Sequence, residues 1–294
     1  MPLQQLVSYF NQRFSEEQGL SIPPLALNGQ VVKGHCDGAW FGSILQPVYT
    51  HTDTPKIMAY DAALQVTPEA RLTSGLFSAL DRAGTESGAS LWNEIGDHTV
   101  VHLDRLSRTV HMLNFLVFSH EVRSLFLHVH PRHMLAVEKD HGAYFEEVIL
   151  RCGLLPKRIV ITLPVNRAYA NQTSILLNRL RNYRDRGYAT ALKFEDNLED
   201  ARYLEFLTRF TPDFVRFDRS ILEKRLKTNA PNRYGTSSLL EWIRQQDTQL
   251  LVEGIRTRHD AEIVDRLQPD AVQGDYFRVI SRVDTEETAR AVNY

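Results

Sequence analysis

Apolar residues recur along this chain with two different periods. Over residues 3–14, Leu3, Leu6, Val7, Phe10 and Phe14 fall three and four apart, which predicts an amphipathic helix that either docks on a main domain or serves a partner. Residues 19–42 hold a Pro-Pro pair, several glycines and few periodic apolar positions, and read as an irregular connector. From about residue 43 short apolar runs take over, at 44–49, 57–64, 124–129, 158–163, 188–194, 213–218, 249–253 and 270–274. Between most of them lie helical patterns, at 90–118, 140–152, 171–186, 199–210, 237–247 and 258–267. Strands alternating with helices predict parallel pairing through crossovers. So many units in ~250 residues suit a closed α/β barrel of the (β/α)8 TIM-like kind better than an open sheet. The expected organisation is an N-terminal helix and connector over 1–42 and a barrel domain over 43–294, with exposed loops at 84–90 and 228–237.

Composition narrows the function classes. Lysine and arginine number 34 against 36 acidic residues, a net charge of -2, which gives no electrostatic case for nucleic acid or an anionic membrane surface. The two cysteines, Cys36 and Cys152, form no C-x-x-C pair, so neither a zinc site nor a disulfide framework is visible. No run approaches ~18 apolar residues, and the N-terminus lacks the basic and apolar regions of a secretory signal. A cytoplasmic protein without a membrane span is expected. Neither G-x-G-x-x-G nor G-x-x-x-x-G-K-[ST] occurs at a strand-to-helix turn, which argues against a Rossmann enzyme or P-loop NTPase.

In a barrel, chemistry sits where strands hand over to loops at their carboxyl ends. Asp61, His128, His130, Lys193, Asp218, Glu253, Gln273 and Asp275 all fall at or near such ends, on different strands. Each alone reads as a cap or loop residue; together they predict a polar mouth. His128 and His130 are two apart and would share one strand face. With Asp61 or Glu253 they could ligate a transition metal, or they are two hydrogen-bonded histidines with no metal.

These strand ends resemble the EAL family, the cyclic di-GMP phosphodiesterases and their inactive relatives, over about residues 43–283. LQPVY (45–49) is similar to the family's opening Q-P strand and MAYDAALQ (58–65) to its E-A-L strand. LFLHVHPRHM (125–134) resembles F-V-N-V-S-P, RIVITLPV (158–165) the strand ending E-x-T-E, and GYATALKFED (187–196) the A-L-D-D-F-G strand. TPDFVRFDRSIL (211–222) is close to P-D-x-I-K-I-D-R-S, and LLVEGIRTRHDAEIVDRLQPDAVQGDYF (250–277) resembles A-E-G-V-E-T followed by V-Q-G-Y-x-F.

The resemblance implies a hydrolytic site in which carboxylates at successive strand ends hold two divalent cations. This sequence departs from it at most ligands. The E-A-L glutamate is Asp61, the asparagine His128, and the next glutamate Thr162, with Val165 at the later acidic position. Lys193 and Phe194 replace the paired aspartates, and an ammonium at 193 repels any nearby cation. Either it faces the pocket in the cation's place and pairs with Asp61 or Asp218, or it points to solvent. The family lysine is Arg216, a planar fork and not a titratable amine. Gln65 stands for the arginine closing the E-A-L strand, and Arg256 for the second glutamate after A-E-G-V. Asp218, Glu253, Gln273, Gln46 and Pro47 are retained. By the resemblance, Glu253, Asp218 and Arg216 are vestiges of catalysis. Asp61, His128, Thr162 and Lys193 are vestiges of the metal site, with Mg²⁺ or Mn²⁺ binding lost and no cofactor expected. Ligand contacts are expected from Gln46, Pro47, Asp61, Leu64, Arg216, Asp218, Glu253, Gln273 and Tyr276, with Phe277 also at the mouth. The implied function is a non-catalytic signalling module acting through a regulatory protein partner or a homodimer. The alternatives are a cyclic di-GMP receptor that does not hydrolyse its ligand, or an active phosphodiesterase with an unusual metal site built on His128, His130 and Asp61.

Overall fold

A computed structural model describes residues 1–66, 96–120, 122, 124–137, 142–195, 207–227 and 236–278. Helix α1 (Leu3–Gln18) is followed by strands β1 (Leu25–Asn28), β2 (Val31–Cys36), β3 (Ala39–Thr50) and β4 (Ile57–Val66). Then come α2 (Asp97–Phe115), β5 (Ser124–His128), α3 (Pro131–Ala136), α4 (Ala143–Arg151), β6 (Ile159–Val165), α5 (Thr173–Asp185) and β7 (Ala189–Phe194). The chain continues through β8 (Phe214–Asp218), α6 (Arg219–Lys227), α7 (Thr236–Gln245), β9 (Gln249–Glu253), α8 (Arg258–Asp265) and β10 (Ala271–Val272). The expected helix at 199–210 falls largely outside the described residues, as do the expected loop at 84–90 and most of that at 228–237, whose last two residues open α7.

Strands β3 to β10 close on themselves as an eight-stranded barrel, because β3 pairs with both β10 and β4. The ladders from β4 through β10 are all parallel. Strand β3 runs antiparallel to both neighbours, which departs from the uniformly parallel barrel expected from the sequence. The cause is the connection: residues 51–56 are too few for a crossover, so β3 and β4 can only form a hairpin.

The connector expected over 19–42 is instead a β-meander, β1–β2–β3, turned at Asn28–Val31 and Cys36–Ala39. Its strands are short, and Lys33, Gly34 and His35 interrupt the apolar alternation, which hides the period from a sequence reading. The meander and α1 share the core of the barrel's flank. Leu6, Val7, Phe10 and Phe14 of α1 are buried with Leu25 and Val32. The Asn11 amide bonds both backbone groups of Leu25, and Asn114 of α2 does the same for Val32.

Inside the barrel, one apolar layer comprises Val48, Ala59, Phe126, Val160, Ala191, Leu251 and Ala271, with Phe214 packed against it. Strand side chains alternate faces, so the next residues to point inward lie two positions on. On the parallel strands these are Asp61, His128, Thr162, Lys193, Arg216, Glu253 and Gln273. On β3, which runs the other way, the residue is Gln46. The sheet's period thus lays the polar ring directly on the apolar floor.

Candidate functional site at the barrel mouth

Arg216 sits at the centre of this ring with no solvent exposure. Its Nη1 and Nη2 donate to the two oxygens of Asp61 at 3.0 and 2.6 Å, a bidentate pair, and Nη1 also reaches Thr162 Oγ1 at 3.3 Å. Its Nε donates to Glu253 Oε1. The guanidinium lies 4.9 Å from the Phe126 ring centre, on the apolar layer below. Lys193 Nζ pairs with the other Glu253 oxygen at 2.9 Å, and His128 Nε2 lies 3.1 Å from Asp61 Oδ1. Each oxygen of both carboxylates therefore faces a cationic or N–H group.

Burial alone would raise the Asp61 carboxyl, but Arg216 and His128 hold it far below the ordinary carboxylate range. Glu253 is likewise lowered against its burial, by Arg216 and Lys193, with Asp61 opposing. Arg216, which burial would lower, is raised by the two carboxylates.

The other expected site residues divide by position. Asp218 stays out of the central network, its Oδ1 accepting from the backbone N–H and hydroxyl of Ser220 at 2.8 and 2.6 Å where α6 begins. Lys193 pairs with Glu253, not with Asp61 or Asp218. His130 leaves the face of His128, because β5 ends at His128. Its Nδ1 instead accepts from Arg132 N and caps α3. Phe277 is buried against Tyr49, and Tyr276 packs on the edge of the same core. Val165 and Phe194 face the flanking core.

Two cavities open on the ring. One, of about 680 Å³, is bordered by Gln46, Pro47, Tyr60, Phe118, Asp218, Glu253, Arg256, Gln273, Asp275 and Arg278. Gln273 is buried and its Nε2 has no hydrogen-bond partner among the described residues. Glycines allow the chain to fold this closely: a Cβ on Gly254, at φ +76, would lie 2.5 Å from Asp218 Oδ2, and one on Gly274 1.9 Å from the Ile255 carbonyl oxygen. The second cavity, of about 420 Å³, is bordered by Asp61, Leu64, Leu103, His111, His128, His130, Pro164 and Lys193. Burial pushes the His111 imidazole down to about 3 and that of His130 to about 4, so both are neutral near pH 7.

Sequence reading missed a further group beside this cavity. The Asp104 carboxylate accepts from Arg108 four residues on, lies 2.6 Å from His133 Nδ1, and receives the His130 backbone N–H at 2.9 Å. Arg108 is buried, stacks 3.7 Å from the Phe145 ring centre and reaches Tyr183. The only available signal was an i,i+4 Asp–Arg pair, which usually marks a solvated helix face. Ser43, bonded to His111 Nδ1 at 2.6 Å, also gave no sequence signal.

Two divalent cations at the mouth would need several free oxygen ligands. Here the oxygens of Asp61 and Glu253 are engaged, and among the described residues no three His, Cys, Asp or Glu side chains are grouped to hold a metal ion. In this arrangement the donor set does not fit the pair. No helix among the described residues is long and apolar enough to cross a membrane.

Comparison with known proteins places this geometry. No curated protein sequence matches the chain. Among solved structures, the EAL enzyme Bd1971 in its cGMP-bound form superposes with a TM-score of 0.56 at 17% identity, over 94% of this chain and 65% of that one. The YkuI protein of Bacillus subtilis, with an EAL domain, in complex with substrate c-di-GMP and calcium, gives 0.60 at 17%, over 81% and 55%. BlrP1 of Klebsiella pneumoniae, as a manganese and cyclic di-GMP complex, gives 0.60 at 15%, over 93% and 65%. The chain thus spans less than two thirds of each of these proteins, and at such identities the likeness establishes the fold. The model of the EAL domain matches residues 36–279, from the second meander strand to just past the mouth, and the chain belongs to the EAL family.

Proposed function

We propose that this EAL domain is a non-catalytic regulatory module of cytoplasmic signalling that acts through a protein partner or a second copy of itself. The observation that carries the reading is the pairing of Arg216 and Lys193 with Asp61 and Glu253. A two-cation hydrolase uses carboxylates to gather positive charge that activates water and neutralises the attacked phosphate. Here fixed side-chain cations neutralise those carboxylates. The ammonium of Lys193 repels an incoming metal ion, and the buried guanidinium of Arg216 is too basic to act as a proton acceptor. Breaking the Arg216 pairs to admit a metal would leave its buried guanidinium uncompensated, a cost of about 3–5 kcal/mol. The test is turnover of cyclic di-GMP by the full chain with Mg²⁺ or Mn²⁺. No linear product over hours is expected; metal-dependent turnover overturns the reading.

A second reading, cyclic di-GMP reception without hydrolysis, is favoured by one feature. The larger cavity places a buried, unpartnered amide, Gln273 Nε2, beside Gln46 and Arg256. Two of the solved relatives are complexes with this dinucleotide. Binding without a metal would use these groups for base edges and phosphates. Calorimetry with cyclic di-GMP, with and without Mg²⁺, separates the readings: metal-independent binding supports reception, and its absence leaves the scaffold role.

A further inference from the structure

Away from the mouth, α1, α2 and α4 meet around one phenol ring. The Arg13 guanidinium lies 4.2 Å from the Tyr144 ring centre and that of Arg105 4.9 Å. Phe14 contacts both Tyr144 and His102, with ring centres 6.2 and 5.9 Å apart. His98, His102 and Arg105 follow one another at four and three residues along α2, so one helix face carries all three.

Three buried polar atoms of this junction have no hydrogen-bond partner among the described residues: Tyr144 Oη, Arg105 Nε and His102 Nδ1. Each can donate a hydrogen bond. The nearby carboxylates are taken up elsewhere. Glu17 pairs with Arg13 at 2.8 Å, and Glu147 receives Arg13 and the Tyr9 hydroxyl. Among the described residues no acidic side chain pairs with Arg105. Donors without acceptors beside an unpaired guanidinium call for a ligand that is both anionic and rich in acceptor oxygens. A water would satisfy the donors and leave the charge.

We propose that this junction binds a tetrahedral oxyanion, inorganic phosphate or the phosphoryl group of a monoester, held by Arg105, Tyr144 and His102 and fastening α1 to the barrel's flank. Arg13 and Phe14 precede the region that matches the EAL model, residues 36–279, while Arg105, Tyr144 and His102 lie within it, so the site joins the N-terminal helix to the domain. Arg13 is a further positive group beside the anion, and the nearby carboxylates, Glu17 and Glu147, are both paired with Arg13.

The experiment is calorimetric titration of the full chain with inorganic phosphate and, separately, with O-phosphoserine, alongside thermal melts. Saturable binding is expected, with a melting temperature that rises with phosphate by mass action. The monoester binding more tightly assigns the site to a phosphoryl group on a larger molecule; phosphate binding more tightly assigns it to the free ion. Tyr144→Phe keeps the ring and removes the hydroxyl, and is expected to weaken binding about tenfold with folding unchanged. Arg105→Met, which keeps the apolar stem, is expected to abolish it. No saturable binding of either probe, or equal binding by wild type and Tyr144→Phe, overturns the proposal.

Discussion

Two buried charge clusters in this molecule look alike and do different things. Between the helices, Asp104 is enclosed by Arg108, His133 and the His130 N–H, packed against Phe145 and Tyr183. At the mouth, Asp61 and Glu253 are shared among Arg216, Lys193 and His128, with cavities on either side and an amide left unpaired. In the first cluster the carboxylate borders the smaller cavity, but its partners Arg108 and His133 are themselves buried, which is how a structural ion pair is built. The second has exposed partners: Lys193 retains 25% of its side-chain surface and His128 34%. Similar pairing therefore produces a strut in one place and an accessible polar surface in the other.

The largest expected effect breaks the strut. Arg108→Met strands Asp104 beside His133 and is expected to cost about 3–5 kcal/mol, measured by urea unfolding. Arg216→Met strands two carboxylates, but these retain Lys193, His128 and access to water through the cavities. A smaller loss, about 2–3 kcal/mol, is expected. Equal losses would show that the mouth is as closed as the helix cluster.

Acid sharpens the contrast. Asp61, Glu253 and Asp104 have folded-state values lowered below their unfolded ones. The stability they contribute is fully present above about pH 4 and is lost as pH falls toward the folded values. The imidazoles of His111 and His130, lowered to about 3 and about 4, act over a higher range. Between about pH 6.5 and 4 the unfolded chain takes up their protons and the folded chain does not, so stability falls as pH falls. Stability measured from pH 7 to 4 is expected to decline in wild type, and His111→Gln to flatten that decline. Arg216→Met is expected to remove the part of the acid limb below pH 4 that comes from Asp61.

The barrel was legible because its strands are apolar, short and evenly interleaved with helices. The mouth residues were legible because the strand period and the barrel's carboxyl face together fix where Asp61, Lys193, Arg216 and Glu253 must point. Which partners they choose was not. A pocket-facing Lys193 was expected beside Asp61 or Asp218, yet Asp218 turns to the start of α6 and Glu253 takes the ammonium. Such choices depend on side-chain geometry between strands far apart in sequence. The meander over 25–50 and the Asp104 cluster were hidden for related reasons: short edge strands carry little periodicity, and a helical i,i+4 ion pair looks the same in sequence whether buried or solvated.

The smallest expected effect concerns Lys193 alone. Lys193→Met removes one partner of Glu253 while Arg216 keeps the other, so a loss of about 1 kcal/mol is expected. A loss as large as that of Arg216→Met would make the ammonium a structural strut.

The proposed non-catalytic role requires that Arg216 and Lys193 keep metal ions from Asp61 and Glu253. Crystals soaked in manganese and examined by anomalous scattering test this directly. The expected result is no ion between Asp61 and Glu253, with Lys193 and Arg216 still bonded to them. Two manganese ions bridged by those carboxylates, with Lys193 and Arg216 displaced, would contradict it.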